Sequence, residues 1–262
     1  MTEESAGAGI DTSIPTSARI WNYWLGGKDN FAIDRMAGDE VLARIPDIAD
    51  GARAERAFLR RVVRFLVDGG TRQFLDVGTG LPTAENTHQV AQELDPTARI
   101  VYVDNDPLVM THARALLTSD PRGVTDYVQA DLRTPATIIE AARATLDFEQ
   151  PIGLMLLGVV NHLMDSAQAE AAVGELVAAM PAGSHLVLTH STAELHGEDM
   201  LEVMRETTQR GSPIRARTRA EIARFFAGTE LLEPGVVSCS RWRPDEVDPP
   251  EVYLFGGVGR IG

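Results

Sequence analysis

The spacing of apolar positions changes near residue 70. Before it, Ile20, Trp21, Trp24 and Leu25 recur at helical spacing, and Gly26-Gly27 ends that helix where left-handed backbone is needed. A second helix is predicted over 31–44, closed by Pro46, and a third over 52–67, with Phe58, Leu59, Val62, Val63 and Leu66 ahead of Gly69-Gly70. After residue 70, short apolar or β-branched runs at 73–78, 99–104, 126–131, 151–160 and 185–190 alternate with helical periodicity at 83–94, 107–117, 135–146, 166–180 and 195–209. That alternation predicts a parallel sheet covered on both faces. Thr218 and Glu221 have capping-box spacing and start a further helix. Two final runs, 236–242 and 251–258, are joined by a connection too short for a crossover, which predicts an antiparallel hairpin.

The 262 residues suit one large domain with an appendage. Residues 1–13 are small, polar and acidic and are expected to form a disordered tail. Residues 14–70 form a helical segment on the lid and acceptor side, and 71–262 a ligand-binding core. The longest apolar run, 152–160, is far short of the ~20 residues that cross a bilayer. A formal charge of −14 repels phosphate backbones and anionic head groups, which argues against nucleic-acid and membrane partners. The single Cys239 excludes an internal disulfide, and the N-terminus lacks a signal-peptide pattern, so a cytoplasmic protein is expected. One cysteine and six scattered histidines show no metal-ligand spacing. Nothing in the sequence sets the oligomeric state.

The chemistry starts at Asp76-Val77-Gly78-Thr79-Gly80, directly after the first strand. Glycines at a strand-to-helix turn admit a ligand close to the backbone and leave amides facing it, although they also make ordinary tight turns. The second strand ends in Asp104, 24 residues beyond Gly80, near the ~20-residue spacing at which a carboxylate grips ribose hydroxyls. Asp106 reads as a cap for the helix at Pro107. Asp131, after the third strand, lies along the same edge, within reach of an adenine amino group. The loop continues Leu81-Pro82-Thr83, without the third glycine of a dinucleotide fingerprint, and Asp76 opposes a pyrophosphate but suits a sulfonium and an amino group. S-adenosyl-L-methionine therefore fits better than NAD.

The runs GGKDNFAIDR, FLDVGTGLPTAENTHQVAQ, VYVDNDP, ADLRTP, GSHLVLTHST and the closing WRP together resemble the actinobacterial S-adenosyl methyltransferase family, first catalogued as a domain of unknown function. The resemblance spans about 14–258. It implies a class I methyltransferase, a Rossmann-like three-layer α/β sandwich whose mostly parallel seven-stranded sheet ends in an antiparallel hairpin, here with an N-terminal helical extension. It also implies methyl transfer from S-adenosyl-L-methionine, with S-adenosyl-L-homocysteine as product. Its cofactor motifs carry onto Asp76, Gly78, Gly80, Asp104 and Asp131; Thr79, Asn105, Leu132 and Lys28 complete the cofactor candidates. It supplies no acceptor.

For the acceptor, Asn161-His162 follow the fourth strand, where His162 is either a general base for a hydroxyl or amine or a capping and packing residue. His190, ending the fifth strand, is a weaker candidate of the same kind. The nucleic-acid amino-methyltransferase string Asp-Pro-Pro-Tyr is absent after the fourth strand, which favours a small-molecule substrate. Trp21, Tyr23 and Trp24 precede the Gly-Gly pair and Lys28, the only lysine; the segment is either a cover over the cofactor or core packing. Two rivals stand beside a methyltransferase: a non-catalytic S-adenosylmethionine- or adenosine-binding protein, and an NAD(P)-linked oxidoreductase.

Overall fold

The structure is a computed structural model, and it describes residues 13–83, 85–107, 109–110 and 119–262. Five strands run parallel: β1 (Gln73–Val77), β2 (Arg99–Asp104), β3 (Val124–Gln129), β4 (Ile152–Leu157) and β5 (His185–Ser191). They continue into the antiparallel strands β6 (Thr229–Leu231), β7 (Val237–Ser238) and β8 (Leu254–Ile261). The order is β3-β2-β1-β4-β5-β8-β6, with β7 also paired to β8. This is the mostly parallel sheet with antiparallel closing strands that the sequence predicts.

The predicted hairpin is present in reduced form. Of the run 236–242 only Val237 and Ser238 pair, with Gly256 and Phe255, before the chain turns through a 3-10 helix at Cys239–Arg241. The sheet therefore has eight strands rather than seven. β6 escaped the hydrophobic pattern because it is three residues long and two of them are exposed. The helix expected over 107–117 falls largely outside the described residues.

Side-chain alternation explains the two cores. Leu75 and Val77 point to one face, with Val101, Val103, Leu154 and Leu156, where α5 (Pro135–Ala142) and α6 (Ser166–Ala179) cover them. Phe74 points to the other, with Ile100, Tyr102 and Met155. There α3 (Ile48–Asp68) lays down the buried stripe Phe58, Leu59, Val62, Val63 and Leu66. Each such side chain removed from water contributes roughly 1.5–3 kcal/mol. Because Asp76 shares the face of Phe74, its carboxylate is carried toward α3 and α4 (Thr87–Leu94).

Before α3, helices α1 (Ser17–Trp24) and α2 (Ala32–Arg44) are locked together by a buried ion pair. Arg19 Nε lies 2.9 and 3.0 Å from the two oxygens of Asp34, which also accepts the amides of Thr16 and Phe31. Asn22 organises the turn that follows, accepting from the Asp29 amide and from Asn30. Two more helices complete the described elements: α7 (Gly197–Gln209) and α8 (Arg219–Arg224), the latter capped reciprocally by Thr218 and Glu221 as the spacing predicts. No helix among the described residues is long and apolar enough to cross a membrane.

Candidate cofactor and acceptor site

The strand order turns back between β1 and β4, the place where open α/β sheets bind ligands beyond the strand ends. A cavity of about 450 Å³ opens there. Its sheet side is built from the turns after β1, β2, β3 and β4, and its roof from α1, α3 and α7. Gly78 (φ +78°) and Gly80 (φ +66°) both have left-handed backbone, but for different reasons. A Cβ at Gly78 would lie 2.3 Å from the Val159 side chain, whereas one at Gly80 would meet no atom within 4 Å. The first glycine is a close approach within the protein. The second faces open space.

Asp104 lines the cavity and pins this loop: one oxygen accepts the Gly80 amide at 2.9 Å, and the other accepts the Asp106 amide at 2.9 Å. Burial raises its pKa. Asp131 accepts from Asn105 Nδ2 at 3.0 Å, and from the Arg133 amide and guanidinium at 2.8 Å each. Asn105, Asp131 and Leu132 therefore meet at one end of the cavity. Thr79 turns its hydroxyl to the Asp76 carbonyl at 3.1 Å. The Asp76 carboxylate, 6 % exposed, accepts from Thr87 Oγ1 at 2.6 Å, and burial pushes its pKa up to about 6.

Asn161 and His162 reach the same cavity from the turn after β4. Asn161 Oδ1 accepts the Ser191 amide at 2.9 Å. His162 Nδ1 donates to the Pro213 carbonyl at 2.7 Å, which leaves Nε2 as a lone-pair acceptor, and burial lowers the ring's pKa so that it stays neutral.

A family model described as S-adenosyl methyltransferase matches residues 3–262. The chain belongs to that family. S-adenosylmethionine is accordingly its cofactor, and the open side of Gly80 beside the Asp104 carboxylate is the kind of cradle such a group requires. Among solved structures, a DUF574-family protein from Streptomyces avermitilis is 40% identical, with a TM-score of 0.92 over 97% of this chain and 100% of that one. A candidate methyltransferase from Thermobifida fusca is 41% identical, with a TM-score of 0.88 over 97% of each chain. The magnesium protoporphyrin IX methyltransferase of Synechocystis with S-adenosylmethionine bound shares the fold alone, at 14% identity and a TM-score of 0.55 over 98% of this chain and 100% of that one. Among curated proteins none matches.

Two expected site residues lie elsewhere in this member of the family. Lys28 is exposed and does not line the cavity, because the turn held by Asn22 directs it outward. His190 is fully buried behind the cavity wall. Its Nδ1 donates to the Ser191 carbonyl, its Nε2 accepts from Arg217 at 2.6 Å, and burial takes its pKa down to about 3. Arg217 in turn donates to the carbonyls of Val160 and Leu163, so this pair fixes the turn that presents Asn161 and His162.

Sequence reasoning missed Glu55, Arg56, Arg133 and Arg217. For Glu55 a signal existed: it sits on the buried stripe of α3, one turn before Phe58 and Leu59, where a charged residue has no packing reason to be.

Proposed function

We propose that the chain transfers the methyl group of S-adenosylmethionine to a hydroxyl or amine of a small-molecule acceptor. The observation that carries this reading is the shared cavity: one space is lined both by the polar turns after β1, β2 and β3 and by the apolar side chains Trp21, Trp24, Met200, Met204 and Ile214. Its volume is that of a ligand pocket, and its apolar wall suits an organic acceptor rather than a polyanion.

When bound, S-adenosylmethionine supplies an electrophilic methyl group on a sulfonium. The chain does the rest. Asp104 takes the ribose hydroxyls, Asp131 with Asn105 and Leu132 takes the adenine, and the Asp76–Gly80 turn backs the methionine part. Residues 16–35 close over the site and exclude water, as lids do. Asn161 orients the acceptor and His162 Nε2 receives its proton, while alignment supplies much of the rate.

The test is transfer of a labelled methyl group into a small-molecule extract, run with wild type and His162→Ala and accompanied by calorimetry with S-adenosylhomocysteine and NAD. The reading predicts label in an acceptor, a lower turnover in the variant, binding of S-adenosylhomocysteine and none of NAD. Binding without transfer to any acceptor would instead mark a non-catalytic S-adenosylmethionine-binding protein.

A further inference from the structure

Where α3 meets β1, the cavity wall holds two buried carboxyl groups, Glu55 and Asp76, against one guanidinium, that of Arg56. Glu55 is 6 % exposed and lines the cavity, and its one hydrogen bond among the described residues is accepted at Oε1 from Thr189 Oγ1. That hydroxyl oxygen already accepts the Gly158 amide at 2.9 Å, which orients its proton toward Glu55. The charged and titratable groups facing Glu55 are Arg56 on its own helix, Asp76 from β1, and Cys239 and Tyr253 from the C-terminal region. Burial holds the thiol and the phenol in their neutral forms. Two carboxylates thus share one guanidinium, and burial pushes them up to about 7 (Glu55) and about 6 (Asp76). A buried carboxylate with one oxygen satisfied costs stability unless a further donor arrives.

The geometry says where that donor goes. A methyl group placed on Gly158, at the end of β4, would lie 3.6 Å from Glu55 Oε1, 3.9 Å from Oε2 and 3.7 Å from Asn161 Nδ2, the nearest atoms apart from its chain neighbours. Both carboxylate oxygens therefore border one point beside the strand end that an atom can occupy at ordinary van der Waals distance. Of the groups on S-adenosylmethionine, the sulfonium is cationic but has no N–H, and the ribose hydroxyls donate but carry no charge. Only the α-ammonium has both. We propose that Glu55 holds the α-ammonium of the methionine part of S-adenosylmethionine. This rests on reading the cavity as the cofactor site, and it moves to α3 a contact that the sequence suggested for Asp76, whose own carboxylate is occupied by Thr87 and faces Arg56.

The experiment is calorimetry of wild type and Glu55→Gln with S-adenosylhomocysteine and with its 2-oxo analogue, in which a carbonyl replaces the amine. At pH 8 the variant should lose about tenfold or more in affinity for S-adenosylhomocysteine, the scale of a lost charge-assisted hydrogen bond, and bind the oxo analogue within about twofold of wild type. In wild type alone, affinity for S-adenosylhomocysteine should fall as pH drops through about 7 and Glu55 takes a proton, while affinity for the oxo analogue should not. That second measurement stands even if the variant fails to fold. Equal losses for both ligands, no loss for either, or a common pH dependence in wild type would overturn the assignment of Glu55. If wild type binds neither ligand, the cofactor-site reading itself fails, and the inference with it.

Discussion

Along the carboxyl ends of β1, β2 and β3 the cavity wall is made of backbone turns whose polar groups are paired with near neighbours: Asp104 with the Gly80 and Asp106 amides, Asp131 with Asn105 and Arg133. The roof is different in kind. It joins side chains from α1, α3 and α7, among them Trp21, Glu55 and Met204, that meet only through tertiary packing. The difference teaches which half of the ligand each wall can recognise. Turns fixed by hydrogen bonds within the sheet suit the adenosine half, whereas side chains on packed helices suit the methionine end, which the proposal gives to Glu55, and the acceptor beyond it.

The largest expected effect is in the roof. Arg19→Ala leaves Asp34, which is 0 % exposed, without its cation, and should cost about 3–5 kcal/mol in the helical segment. Hydrogen exchange should show residues 14–44 opening while β1 to β5 stay protected; uniform protection would mean that roof and sheet are not separable in this way.

Glu55→Gln should work in the opposite direction on the unliganded protein. The folded carboxyl sits at about 7, above its ordinary 4.5, so Glu55 contributes stability that is fully present below about 4.5 and lost as pH rises through about 7. Glutamine removes that loss, and at pH 8 the variant should be more stable by on the order of 1–3 kcal/mol, with no gain at pH 4. Urea denaturation at the two pH values checks this.

On the sheet side, Asp104→Ala should weaken S-adenosylhomocysteine by ~1–3 kcal/mol with the fold retained. Part of that loss is the Gly80 amide set free, so the effect tests the whole turn as well as the ribose contact. The smallest effect belongs to Lys28→Ala: an exposed residue outside the cavity should change stability and affinity by no more than about 0.5 kcal/mol.

The same contrast explains what was legible in the sequence. Asp76, Gly78, Gly80, Asp104 and Asp131 were readable because each ends a strand or begins a turn, and the strand ends of a parallel sheet line up along one edge. The helix over 52–67 was readable from its apolar stripe, but its chemistry was not, since Glu55 and Arg56 acquire meaning only when α3 packs over β4 and β5. Lys28 drew attention by being solitary, which is a property of composition and says nothing of where a side chain points. His190 lies at the end of a strand as Asp104 does, yet it turns into the core, and only the position of Arg217 shows why. β6 was too short and too polar to leave a pattern.

The central claim is that roof and sheet enclose one site shared by cofactor and acceptor. Limited proteolysis at the exposed Gly26-Gly27 turn, with and without saturating S-adenosylhomocysteine, tests it most directly. The account predicts that cleavage there slows markedly when the ligand is bound and that sites near the edge strand β6, outside the cavity, do not change. Equal cleavage at Gly26-Gly27 in the free and the saturated protein would contradict it.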